Sequence, residues 1–308
     1  MDNTLLRGFP PQTAEKVGRL LDLLDELGEH PMLRGKLALH GGTAINLFML
    51  DIPRLSVDID LSYVGALGRD AMLEDRPLVE RSIAEVARSQ GYSVSGGEGG
   101  HAGRTFVLGY SSQFGPDHVK VDCIYMNRSP LLPLEARETP IRPGARVVTF
   151  ADAELAGGKV KAFFDRVKVR DLYDVCNLGR VLERLPEGGR AAAHEAVLFY
   201  ASLSASFPHG FASRPDRFIG KESELEAQLL PMLRLADAEP TLDELVEESR
   251  AFIDSWIMPW TDGEREYLDR FAAGDFAPSL LFADPSMAEA ALASPEAQWK
   301  LKNLKLMR

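Results

Sequence analysis

The chain has 308 residues, 45% hydrophobic and 26% charged, which is enough for two ordinary domains with full cores. A formal net charge of −11 argues against indiscriminate nucleic-acid binding by the whole surface. No run of about eighteen apolar residues suggests a membrane helix, and the first residues lack the basic-then-apolar order of a secretory signal, so a cytoplasmic protein without membrane contact is expected.

The acidity is uneven. Residues 201–308 hold 19 acidic and 11 basic side chains, whereas residues 159–184 hold seven Lys or Arg against four Asp or Glu. A polyanionic ligand is therefore compatible with the middle of the chain. The two cysteines, Cys123 and Cys176, have no metal-ligand spacing and read as reduced thiols in apolar surroundings.

Residues 13–27 place Val17, Leu20, Leu21, Leu24 and Leu27 at helical spacing, with Thr13 as N-cap and Gly28 as the stop. Residues 36–39 read as a short strand running into His40, Gly41, Gly42 and Thr43. Paired glycines allow a sharp turn or the close approach of a ligand, and Thr43 is expected to cap a helix over 44–50 whose first amides suit a phosphate. The same three residues also fit a plain turn. After a short loop, residues 57–63 form a strand in which Asp58 and Asp60 project to one face and Val57, Ile59 and Leu61 to the other. Two carboxylates so close repel unless a cation lies between them, which points to Mg²⁺, although a solvated strand face carries such pairs too. This order of elements returns the carboxylates beside the glycines in an antiparallel or mixed sheet.

A helix follows over 69–90 with Met72, Leu73, Val79, Ile83 and Val86 as core candidates, and the glycine-rich run at 95–100 reads as a surface loop. Residues 104–110 and 118–126 are two strands joined by a polar turn, with Val119, Val121, Cys123 and Tyr125 alternating with Lys120, Asp122 and Ile124. Asp122 is either solvated or a third carboxylate for the pair. Three such oxygen donors suit hard cations, and two Mg²⁺ ions about 3.5–4 Å apart can clamp the attacking and leaving oxygens of a phosphoryl transfer.

Residues 129–143, with four prolines, read as an irregular connection, and 147–150 as the last strand. From 152 onward only helices are expected, so the fold class is α+β, with a domain boundary near 150. The first two of these helices carry Lys159, Arg166, Lys168 and Arg170, each able to offset triphosphate charge or simply face water. Asp171 and Asp174, three residues apart on one helical face, suit an ion pair with nearby arginines. Beyond 190 the chain is amphipathic, with breaks at 207–215, Pro240 and Pro278 and core aromatics Trp256, Trp260, Tyr267 and Phe271. A basic tail, Lys300, Lys302, Lys305 and Arg308, suits RNA, a partner or the chain's own acidic surface equally.

The blocks HGGTAINLF, PRLSVDIDLSY, VKVDCIY and GGKVKAFFDRVKVRDLYD, in this order, resemble the AbiEii/AbiGii family of nucleotidyltransferase-like toxins, whose mycobacterial members are called MenT toxins. The resemblance covers roughly residues 35–180. It implies a polymerase-β-like nucleotidyltransferase domain over 1–150, followed by a helical domain over 151–308 that contributes Lys, Arg and Asp to the active-site cleft. The family's first motif falls on Gly42, Thr43, Asp58 and Asp60, its later carboxylate on Asp122, and its lysine on Lys159, with Lys161 as the alternative register. The final block falls on Arg170, Asp171, Tyr173 and Asp174. Related folds vary between Asp and Glu at the third carboxylate, and Ile45 and Asn46 depart from the Ala-Leu-x-Leu run of relatives.

The resemblance further implies a separately encoded antitoxin in a type IV system and, in some relatives, addition of pyrimidine nucleotides to the tRNA 3′ acceptor end. The expected activity is thus Mg²⁺-dependent transfer of a nucleotidyl group from an NTP to RNA, blocking translation. Asp58, Asp60 and Asp122 would hold metal, Gly42, Thr43, Lys159 and Arg170 the triphosphate, and Asp171 would orient a cation. Two rivals stand beside it: a small-molecule or protein hydroxyl as acceptor, which the acidic C-terminal part favours, and a nucleotide- or partner-binding module without turnover, against which the Asp58/Asp60 pair speaks.

Overall fold

The computed structural model describes residues 4–97, 99–100, 102–206 and 210–306, so Glu98 of the glycine loop, 207–209 of the expected break and Arg308 of the basic tail lie outside the described residues. Two compact units form, Met1–Phe150 with Met232–Asp237, and Ala151–Pro231 with Ala238–Arg308.

In the first unit, α1 (Pro11–Glu29) buries Val17, Leu20, Leu21, Leu24 and Leu27 as their spacing predicts. Its start differs. Pro11 occupies the first helical position, where its fixed φ suits the helix and its missing N–H costs nothing, so Thr13 lies inside rather than at the cap. The helix α3 (Arg69–Ser89) buries Met72, Val79, Ile83 and Val86, while Leu73, one residue and thus about 100° round from Met72, is exposed.

Seven strands make one mixed sheet: β1 (Leu37–His40), β2 (Asp58–Tyr63), β3 (Ser93–Ser95), β4 (Gly103–Ser112), β5 (Gly115–Ile124), β6 (Glu135–Thr139) and β7 (Arg142–Thr149). Their order across the sheet is β3-β4-β5-β2-β1-β7-β6. The β1–β2 pair is antiparallel, whereas β2 runs parallel to β5 and β1 to β7. Both β3 and β6 were absent from the sequence expectation, and both sit at a sheet edge, where pairing on one side alone lets a polar or proline-flanked segment form a strand. On β5, Val119, Val121 and Cys123 are buried and Lys120 and Asp122 half-buried, so the alternation read from the sequence holds.

Between β1 and β2 the chain forms a helix one turn longer at its start than expected. α2 (Gly41–Ala44) begins directly after His40 and runs into a π-helical turn at Ile45–Met49. His40, not Thr43, takes the N-cap position. The segment Met232–Asp237 returns to this unit from far along the chain: Leu55 N–H donates to the Met232 carbonyl at 2.8 Å, and Leu235 N–H to the Gly8 carbonyl at 2.8 Å.

The second unit is helical among its described residues: α4 (Asp152–Asp165), α5 (Val169–Leu182), α6 (Glu187–Ser202), the single turn α7 (Glu222–Glu224), α8 (Leu242–Trp256), α9 (Asp262–Ala272), α10 (Pro285–Leu292) and α11 (Pro295–Leu306). Capping boxes from Thr241 with Glu244 and Thr261 with Glu264 start α8 and α9, each satisfying orphan amides of a first turn. Its core holds Phe163, Phe199, Phe218, Tyr267 and Phe271, with Trp256 buried and Trp260 at its margin. In the Gly-Gly-Lys stretch, Gly157 is a packing residue. A Cβ there would stand 2.9 Å from the Ala196 carbonyl and overlap the Tyr200 ring, so glycine lets α6 lie close on α4.

Candidate active site

The sheet's register brings the chemistry-bearing residues of the first unit into rows. Residues directly opposite each other across a sheet share a face. Thr105 on β4 is opposite Asp122 on β5, Asp122 opposite Asp60 on β2, and Asp60 opposite His40 on β1. Two residues along, and so on the same face, Lys120 is opposite Asp58. The three aspartates named from the sequence therefore share one face, each half-buried, at the end of β2 where the chain enters from the loop.

Two residues that the sequence reading left without a role complete this face. Thr105 donates its hydroxyl proton to Asp122 Oδ1, and the Lys120 ammonium donates to Asp122 Oδ2 at 2.5 Å. Burial alone would lower the Lys120 pKa, but the Asp122 hydrogen bond and the charges of Asp122, Asp58 and Asp60 outweigh it and hold the ammonium above its ordinary value. The period-2 rule pointed to Lys120, two residues before Asp122, but nothing local told it from any other solvated lysine.

Of the paired glycines read from the sequence, it is Gly41 that adjoins the carboxylates. Its φ is +70°, and a Cβ there would stand 2.8 Å from the Asp60 Cγ and collide with the carboxylate itself. Only glycine lets the start of α2 lie against Asp60 in this left-handed conformation. Gly42 follows within the first helical turn. Thr43 is fully buried and donates its hydroxyl to the Asp58 backbone carbonyl, so the side chain ties α2 to the beginning of β2.

In the second unit the structure brings Lys159 and Asp171 together and adds Asp174 and Arg166. Lys159 Nζ lies 2.9 Å from Asp171 Oδ1 and 2.8 Å from Asp174 Oδ2. Arg166 donates from Nε to Asp171 Oδ2 at 2.6 Å and from Nη2 to Oδ1 at 3.1 Å. The side chains of Lys159, Asp171 and Asp174 are 4%, 3% and 0% exposed. Burial pushes the Asp171 carboxyl up, yet Lys159 and Arg166 more than offset it and hold the group below the ordinary range. Arg170 is half-buried one residue before Asp171. Lys161, the alternative register for the family lysine, instead pairs with Asp165 and Glu296.

The sequence model described as "Nucleotidyl transferase AbiEii toxin, Type IV TA system" matches residues 22–253, three quarters of the chain, Gly41, Asp58, Asp60, Asp122, Lys159 and Asp171 included. The chain belongs to the AbiEii nucleotidyltransferase toxin family. Two solved structures share the fold of this AbiEii protein. MenT4, a nucleotidyltransferase toxin from Mycobacterium tuberculosis, aligns with a TM-score of 0.51 and 16% identity over 96% of this chain and 93% of that one. JHP933 from Helicobacter pylori aligns with a TM-score of 0.51 and 15% identity over 86% of this chain and 97% of that one. No curated protein matches the sequence significantly.

The α+β, polymerase-β-like fold expected from the sequence is the one observed. Family membership gives nucleotidyl transfer as the activity class and implies a nucleotide substrate and an antitoxin partner. Among the described residues, no helix is long and apolar enough to cross a membrane.

For a divalent cation, the donor chemistry of the AbiEii sheet face fits: carboxylate oxygens from neighbouring strands, in register, are what Mg²⁺ prefers. The Lys120 ammonium is paired with Asp122, and among the described residues no group of three His, Cys, Asp or Glu side chains is placed to hold a metal ion.

Proposed function

We propose that this AbiEii toxin transfers a nucleotidyl group from an NTP to an RNA 3′-hydroxyl, the tRNA acceptor end being the target, and so blocks translation. The observation that carries this reading is the register of Asp60 against Asp122 and Asp58 against Lys120, which gives three carboxylates one face beside the first turn of α2. Asp58 and Asp60 would hold Mg²⁺, with Asp122 as the third carboxylate. When bound, Mg²⁺ supplies positive charge against the triphosphate and lowers the cost of charge developing on the reacting oxygens.

The chain's own residues do the positioning. Gly41 keeps the start of α2 against Asp60, and the first-turn amides of Gly41 and Gly42, which a helix leaves without intrahelical acceptors, suit phosphate oxygens. Thr43 is fully buried with its hydroxyl committed to the Asp58 carbonyl, so it holds this turn in place and does not itself touch phosphate. Asp122 is the carboxylate that accepts the proton of the attacking 3′-hydroxyl, at Oδ2 once Lys120 has left that atom. In the second unit, Lys159 and Asp171 are committed to each other as a buried ion pair that ties α4 to α5. Such catalysis rests on positioning and preorganised charge.

The test is incubation of total tRNA with each labelled NTP in Mg²⁺, comparing the wild type with Asp60→Ala. Label should enter the RNA, and the variant should lose roughly a thousand-fold in rate, the equivalent of about 4 kcal/mol of barrier. Label that never enters RNA, or enters equally with the variant, sinks the reading.

A further inference from the structure

The carboxylate face is already served by a cation that belongs to the chain. Lys120 lies on the same face as Asp58, Asp60 and Asp122, is opposite Asp58 in the register, and has its ammonium 2.5 Å from Asp122 Oδ2. It is also the more solvated partner, with a side chain 43% exposed against 22% for Asp122. Thr105 takes the other oxygen of Asp122 from the β4 side. Three negative charges thus gather around one tethered positive charge, an excess that neither repels the strands apart nor is fully neutralised.

A tethered ammonium differs from a dissolved ion in one respect that matters here: it cannot diffuse away, so it competes for the carboxylates at a fixed, high effective concentration. A divalent cation approaching Asp122 meets a like charge a few ångströms away and gains the carboxylate only by displacing it. The lysine stem is flexible and its head half-solvated, so swinging out costs little beyond the ion pair itself.

We propose that Lys120 is the internal counter-ion of the carboxylate face, holding Asp58, Asp60 and Asp122 together in the metal-free protein and setting the affinity for divalent cations by having to be displaced. This rests on the metal-binding role given to the aspartates above. Lys120 is a positioning residue in this scheme: it acts through Asp122 and touches neither nucleotide nor acceptor.

The experiment uses the full-length protein and Mn²⁺ as a paramagnetic probe, counting free Mn²⁺ by electron paramagnetic resonance in a titration of wild type, Lys120→Met, Lys120→Arg and Asp60→Asn. Lys120→Met should bind Mn²⁺ about tenfold more tightly, the size of one charge's influence at short range in a part-solvated site. Lys120→Arg, which keeps the charge, should stay near the wild type. In EDTA, Lys120→Met should melt a few degrees below the wild type, and saturating Mg²⁺ should close that gap. Equal or weaker Mn²⁺ binding by Lys120→Met, with binding abolished in Asp60→Asn, overturns the counter-ion role and leaves the metal reading intact. Undiminished binding in Asp60→Asn overturns the metal reading itself, and the counter-ion role falls with it.

Discussion

Two charged clusters, one in each unit, are built from the same residue types and have opposite characters. On the sheet, three aspartates share one lysine, and all four side chains are reached by solvent. Between α4 and α5, two aspartates are matched by Lys159 and Arg166, and all but the arginine are almost wholly buried. Balance and burial decide what each can do. The first retains negative charge that an outside cation can neutralise. The second has spent its charge internally, and such a buried network, once formed, penalises the loss of any member far more than it attracts a ligand.

The sharpest way to break this comparison is Lys159→Met. Removing a base that touches both Asp171 and Asp174 takes a partner from two buried carboxylates, and a loss of about 3–5 kcal/mol is expected, read from denaturant unfolding. A shift no larger than that of Lys120→Met would show that the two clusters do not differ as described.

Gly41→Ala comes next. It places a methyl group against the Asp60 carboxylate at a backbone φ of +70°, for which about 1–3 kcal/mol of strain is expected together with a loss of Mn²⁺ affinity. Gly35→Ala is the control, since Gly35 has a similar φ of +74° and nothing within 4 Å of an added Cβ. Equal Mn²⁺ binding by both variants would remove Gly41 from the site.

The smallest effect separates the clusters by acid. Because Asp171 is held below the unfolded Asp value of about 3.9, the stability it contributes is complete above that pH and drains away as pH falls through its lower folded value. Asp171→Asn should therefore flatten the acid limb of a stability–pH curve below about pH 4 and leave its slope near neutrality unchanged. A curve parallel to the wild type throughout would mean that Asp171 is not held low.

Much of this could be read in the sequence because the signals were periodic. Alternation over 118–126 gave β5 and its faces, helical spacing gave the buried stripe of α1, and two aspartates two apart on a strand gave the row that organises the sheet. Local signals failed where a long-range partner decided the outcome. Nothing in the proline-flanked segment around 135–139 announces a strand until β7 is there to pair with it. Thr43 has the chemistry of a helix cap, but the Asp58 carbonyl, fifteen residues on, claims its hydroxyl. Asp171 and Asp174 were legible as an ion pair; that their partner is the motif lysine itself required α4 and α5 to be folded together. Lys120 was visible at the right period and still carried no meaning, since the charges that give it one lie on another strand.

The return of Met232–Asp237 to the first unit bears on how the toxin comes into being. Backbone groups of Leu55 and Gly8 find their partners only in this late segment, and Arg234 reaches the carbonyls of Asp51 and Ile52 in the loop that leads into the aspartate strand. A ribosome that has delivered the sheet and its aspartates has therefore not yet delivered a finished unit. At about 5–20 residues per second, the interval between residue 150 and residue 237 lasts from several seconds to well over ten. Through that time the nascent chain carries its carboxylate face on a scaffold still missing its clasp, and the first unit is complete only once residue 237 has been added.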